Sequence, residues 1–139
     1  MLLSRYNQRT KAERDLKEAI RINPYNHLGY LNLGVLFEQQ LELENAENCY
    51  SKGIDNIGDS HILYQYRGLV RHKQRLLEDA LSDYDSSLSL NDGDKRTYYL
   101  RAKVNYDLGR IEQAKNDARM AQQRGFIIDE TFLNLLFNR

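Results

Sequence analysis

The sequence predicts an all-α repeat protein, and three observations predict it. Apolar residues recur at spacings of three and four with no strand-like alternation. Helix breakers are scarce: one proline, Pro24, and eight glycines in 139 residues. Above all, the chain repeats itself, because Ala12, Ala46, Ala80 and Ala114 fall 34 residues apart without a slip. Self-similarity at a fixed period is the mark of a linear stack of small units.

The rest of the pattern keeps the same register. Four residues after each alanine stands Leu16, Tyr50, Tyr84 or Ala118, and three further on a small residue, Ala19, Gly53, Ser87 or Ala121. Upstream, Leu33-Gly34 is answered by Arg67-Gly68 and Arg101-Ala102, each with a tyrosine three residues before it, at Tyr30, Tyr64 and Tyr98. Period and pattern together resemble the tetratricopeptide repeat family over the whole chain. The resemblance implies a right-handed α-solenoid of antiparallel helix pairs with a 34-residue period. One array is then expected, divided into a partial unit (1–26), full units 1 to 3 (27–60, 61–94 and 95–128) and a terminal partial unit (129–139).

Each element has its own reason. Met1 falls at position 9 of the frame, so residues 1–26 should hold the tail of a first helix, a turn, and a second helix closed by Pro24. Position 34 is Asn26, Ser60 and Asp94, three good N-caps immediately before three predicted first helices. Ile128 breaks that series, and Asp129 is expected to cap the last helix instead. The unit from His27 reads YLNLGVLF and later AENCYSKG, a close match, and LGRIEQA (Leu108 to Ala114) is similar to the family's usual inter-helix turn. The later units depart from the pattern. Position 11 is Phe37 in unit 1 but Arg71 and Asn105 afterwards. Position 32 is proline only at Pro24, with Gly58, Gly93 and Gly125 at or beside the equivalent points, where glycine can end a helix in the left-handed conformation.

Composition narrows the function. Twenty basic and twenty acidic residues cancel, with a sequence pI near 6.8, which weighs against nucleic acid or anionic membrane as the partner. No stretch approaches a membrane span or a signal peptide, no asparagine begins a glycosylation acceptor, and the lone cysteine, Cys49, permits neither an internal disulfide nor a cysteine zinc site. A cytoplasmic setting is expected. The acidic run SDYDSSLSLNDGD (Ser82 to Asp94) has the look of a cation loop. Tested as a calcium loop from Asp83, however, its sixth residue is Leu88 where glycine is needed, so it reads as a helix end and an exit turn. RHKQR (Arg71 to Arg75) reads as the cationic last turn of a helix. His27 and His61 coincide only through the period, and Cys49 is a packing residue. With no phosphate loop and no catalytic motif, a non-catalytic protein without cofactor or metal is expected.

The resemblance implies that first helices line a concave groove, with positions 2, 5, 9, 12 and 13 facing a ligand. Those positions hold Leu28, Leu31, Val35, Glu38 and Gln39 in unit 1, and Ile62, Gln65, Leu69, His72 and Lys73 in unit 2. Unit 3 offers Arg96, Tyr99, Lys103, Tyr106 and Asp107, followed by Glu130 and Leu133. One end is aliphatic and the other basic with tyrosines. The expected partner is a protein or peptide with an apolar anchor beside acidic residues. The family's clamp for chaperone C-termini is missing, because its five positions hold Leu31, Val35, Tyr66, Arg96 and Leu100. Two alternatives stand beside this reading. One is a helical-repeat RNA binder using Arg96, Arg101, Lys103 and nearby tyrosines. The other is self-association, a homodimer through the apolar terminal helix FLNLLF, as against continuation into a longer array. The register itself is testable by thermal melting. Tyr84→Ala is expected to cost roughly 3–5 kcal/mol and Ala80→Leu about 1–3 kcal/mol, and unchanged melts for both would contradict it.

Overall fold

The computed structural model describes residues 2–138, without the side chain of Leu2. Eight helices account for them: α1 (Leu2–Ile22), α2 (His27–Gln39), α3 (Leu43–Ile57), α4 (His61–Lys73), α5 (Leu77–Leu90), α6 (Lys95–Asp107), α7 (Ile111–Gln123) and α8 (Glu130–Phe137). The most extensive packing is within α2–α3, α4–α5 and α6–α7, and each pair then packs on the next through α3–α4 and α5–α6. α1 covers the front of α2, and α8 lies on α7. The result is a file of antiparallel helix pairs.

Local chemistry starts and stops these helices on the period. The side chains of Asn26, Ser60, Asp94 and Asp129 accept from the backbone N–H groups of Leu28, Leu63, Arg96 with Thr97, and Phe132, so all four expected caps form. Inside each pair the chain reverses through one residue with positive φ: Leu41 at 61°, Arg75 at 63° and Gly109 at 78°. The turn is closed by Glu42, Leu76 and Arg110 donating back to the carbonyls of Phe37, Arg71 and Asn105 at 2.8 to 2.9 Å, the C-terminal seal of a helix. Only Gly109 escapes the steric penalty of that conformation. Leu41 and Arg75 carry it at about 1–2 kcal/mol each, held in place by the pairing they make possible.

Paired helices meet at one small residue. A Cβ placed on Gly34 would stand 2.2 Å from the ring of Tyr50, and one on Gly68 would stand 2.7 Å from the ring of Tyr84. Tyr50 and Tyr84 are wholly buried. Unit 3 has two small residues at these positions, Ala102 and Ala118, both fully buried in one cluster.

Three details differ from the sequence expectation. α1 is a single uninterrupted helix, with no turn after the first residues. The exit of unit 2 does not use left-handed glycine: Gly58 and Gly125 have φ near 90°, Gly93 does not, and α5 ends at Asn91 with φ −146°. Finally, although Asp129 caps one residue late, Phe132 and Leu136 are buried at the positions that Tyr30 and Gly34 hold in α2, while Leu135, at the position of buried Leu33, is exposed.

The departures at positions 7 and 11 prove to be one arrangement. Asp83, 3 % exposed at its side chain, receives Arg67 through two nitrogens at 2.7 and 3.0 Å and Arg71 at 3.0 Å. One period on, Asp117 receives Arg101 at 2.7 and 2.9 Å and Asn105 at 3.0 Å. The same guanidiniums reach back to the preceding second helix, Arg67 to Ser51 at 3.1 Å and Arg101 to Asp85 at 2.9 Å. Unit 1 replaces the set with Leu33, Phe37 and Cys49. Asp83→Leu is therefore expected to destabilise by roughly 3–5 kcal/mol, since it leaves the half-buried Arg67 without a counter-charge, while Arg71 keeps Glu47 at 3.0 Å. Installing the unit 1 set whole, Arg67→Leu with Arg71→Phe and Asp83→Cys, should recover most of that loss in chemical denaturation.

Candidate partner-binding groove

The first helices also touch one another, α2 with α4 and α4 with α6, so their outward faces join into one wall. Side chains cross it: Lys73 pairs with Glu38 at 3.1 Å, His72 with Asp107 at 2.6 Å, and Arg75 with the same carboxylate at 2.9 Å. Beneath it, Tyr50 donates its hydroxyl to Glu38. Burial, then that bond, pushes the Tyr50 phenol far above its ordinary range. Burial, opposed by the charge of Arg96, also raises the Tyr84 phenol, which has no hydrogen-bond partner among the described residues.

The aliphatic end is partly open. Leu28 is 49 % exposed. Val35 and Ile62 are half-buried, and so are Leu31 and Leu69, which also lean on the core beneath. Gln65 does not offer itself to a partner. It is 5 % exposed, and its amide donates to Thr97 at 2.7 Å and Asp94 at 3.0 Å. The reason is the neighbouring polar pair: at the α4–α6 contact a buried threonine and a cap carboxylate both need a donor, and glutamine is long enough to reach them.

The basic end is built on rings. Arg96, exposed, lies over Tyr66 at 5.5 Å, and Lys103 lies over Tyr99 at 5.4 Å. Tyr99 in turn stacks on Phe126 at 4.6 Å and meets the edge of Phe132 at 6.0 Å, while Tyr106 packs on Phe132 at 5.8 Å. Neither Arg96 nor Lys103 is paired with a carboxylate among the described residues, in contrast to Lys73, His72 and Arg75. Cations held over aromatic faces keep their charge outward and lose little side-chain freedom on meeting an anion. The sequence frame named both cations and Tyr99, but not Tyr66 beneath Arg96, which stands at position 6 outside the groove set, nor Phe126 behind Tyr99, which occupies the proline position.

No described helix is long and apolar enough to cross a membrane, and no group of three or more potential metal ligands is found among the described residues. Burial works to raise the Asp107 carboxyl, but the bonds from His72 and Arg75 outweigh it and hold it below its ordinary value. A depressed carboxyl contributes stability above the unfolded-state value and loses it as pH falls through the folded one. The advantage of the native chain over Asp107→Asn in denaturant melts should therefore be steady near neutrality and disappear only below about pH 4.

No known family's profile and no curated protein matches this sequence. Solved structures do. The crystal structure of MamA superposes with a TM-score of 0.77 at 17 % identity, over 88 % of this chain and 71 % of that one. The first tetratricopeptide-repeat domain of Spaghetti (RPAP3), bound to the HSP90 peptide SRMEEVD, gives 0.70 at 21 % identity over 92 % and 90 %. The second such domain of human RPAP3, with the HSP70 peptide SGPTIEEVD, gives 0.67 at 23 % identity over 69 % and 80 %. In its capped helix pairs, its period and its nearest-neighbour packing, the chain has the tetratricopeptide-repeat fold.

Proposed function

We propose that this chain is a non-catalytic protein-interaction module that holds a segment of a partner protein along the wall of α2, α4 and α6. The apolar anchor of the segment lies on Leu28, Leu31, Val35, Ile62 and Leu69, and its acidic residues meet Arg96 and Lys103. His72, Lys73, Tyr99 and Tyr106 frame the passage between the two ends, and a cytoplasmic setting belongs to the same proposal. One observation carries the reading: the charges along the middle of the wall are satisfied internally, while Arg96 and Lys103 lie on rings with no counter-ion of their own. The acidic peptides held by the two RPAP3 domains support it. Only Arg96 among the five C-terminal clamp positions is retained, so the acidic side chains of the segment, not a chain-terminal carboxylate, are the feature read here.

Fluorescence anisotropy with a labelled peptide carrying leucines followed by glutamates tests this. Arg96→Glu with Lys103→Glu should weaken binding roughly tenfold or more at low salt and leave the melting temperature nearly unchanged, as expected for surface charges with no ion pair to lose among the described residues. Unfolding of the double variant, or unaltered peptide binding, would overturn the assignment. So would tight, salt-sensitive binding of single-stranded RNA with no binding of the peptide.

A further inference from the structure

A second site lies away from that wall, and it emerges from comparing units. Unit 3 has a cleft of about 390 Å³ where Arg101, Asn105 and Asp117 face Asp85 of the preceding second helix. Two periods earlier, at the equivalent place between α1, α2 and α3, a cleft of about 370 Å³ is lined by Leu33, Phe37 and Cys49 and faces Lys17 of the preceding second helix. Four matched positions have thus changed together. The guanidinium has become leucine, its amide neighbour phenylalanine and its carboxylate cysteine. The acceptor that the guanidinium reached, Asp85 in the later unit, has become a lysine.

That exchange reverses what the cleft lacks. In unit 3 the arginine supplies its own cation and finds two carboxylates within the fold. In unit 1 the floor is apolar, extended by Ile20 and Tyr30, and the rim carries the cations Lys17 and Lys52. Lys17 is tied to Glu13 at 2.8 Å, while Lys52 is exposed and has no carboxylate partner among the described residues. Both ammoniums stand close enough to be felt at the Cys49 thiol, which burial nevertheless pushes up to about 11. The thiol is therefore protonated and inert at neutral pH, part of the floor and not a nucleophile.

We propose that this cleft binds a small amphiphile with an apolar tail and one carboxylate, the tail resting on Leu33, Phe37 and Ile20 and the head meeting Lys52 and Lys17. The volume lies near the lower end of the roughly 300–1,000 Å³ that holds small molecules, and the pairing of an apolar floor with a cationic rim selects that ligand class over a neutral or cationic one. The proposal does not depend on the groove reading, since it uses a different face and different residues.

Octanoate and octan-1-ol are the probes, titrated into the full chain by calorimetry at low ionic strength. Octanoate should bind saturably in the millimolar range or tighter, and octanol about tenfold more weakly. Lys17→Glu with Lys52→Glu should weaken octanoate about tenfold and leave octanol within about twofold. These lysines are exposed, so that variant keeps its fold. Leu33→Arg with Cys49→Asp rebuilds in unit 1 the pair that unit 3 already carries, and should abolish binding of both probes at an unchanged melting temperature. Absence of saturable octanoate binding would overturn the proposal. An octanoate-to-octanol ratio unmoved by the lysine reversal, or full binding by a folded Leu33→Arg/Cys49→Asp variant, would do the same. The Arg96→Glu/Lys103→Glu variant should bind octanoate as the native chain does, which keeps the two sites distinguishable.

Discussion

The whole arrangement depends on how closely the two helices of a unit approach. At Gly34 and Gly68 there is no room for even a methyl group, because a tyrosine ring from the facing helix already fills it. Burying a whole aromatic ring stabilises by a few kcal/mol, and that gain is available only where the opposite helix offers no side chain. Ala102 and Ala118 show the rule from the other side: where no ring comes from the facing helix, the first helix can carry a methyl group. Everything built on the pairs, including the left-handed turns at Leu41 and Arg75 and the spacing of the first helices in the wall, inherits this separation.

What was legible in the sequence follows from which forces are periodic. Close approach, capping and ring burial recur every 34 residues, so Ala46, Tyr50, Asn26 and their equivalents declared the helices and their pairing directly. Non-periodic features were not legible. The unbroken course of α1 is one of them, and the exposure of Leu135 at the position that buries Leu33 is another. In the groove, the positions of Arg96 and Lys103 followed from the frame, but the burial of Gln65 did not. It is decided by what Thr97 and Asp94 need from across the α4–α6 contact, a demand that no single unit displays. The polar replacements at positions 7 and 11 looked like erosion of the pattern. They are a coupled substitution, recoverable from the coincidence of Asp83 and Asp117 at one position with Arg67 and Arg101 at another.

The buried carboxylates at Asp83 and Asp117 bear on specificity as well as stability. A desolvated ion pair of this kind contributes little over a well-packed apolar set, yet it penalises heavily any arrangement that separates the partners. Apolar surfaces tolerate sliding; a fork of two nitrogens on two oxygens does not. The two helices of unit 2, and those of unit 3, are therefore fixed in register by a fork, whereas those of unit 1 rely on shape and on the Tyr50–Glu38 bond.

Because Arg67 and Arg101 each reach across to the second helix of the unit before, consecutive second helices are stapled on that side of the file at two of its joints. The joint between α1 and α3 has apolar contact around a cleft and, at its edge, an exposed ion pair of Arg9 with Glu42 at 3.6 Å. The polar ties are accordingly uneven along the molecule: the two later joints are held by half-buried guanidiniums, whereas tilting α1 on its neighbours would strain an exposed ion pair at 3.6 Å, a contact of small worth.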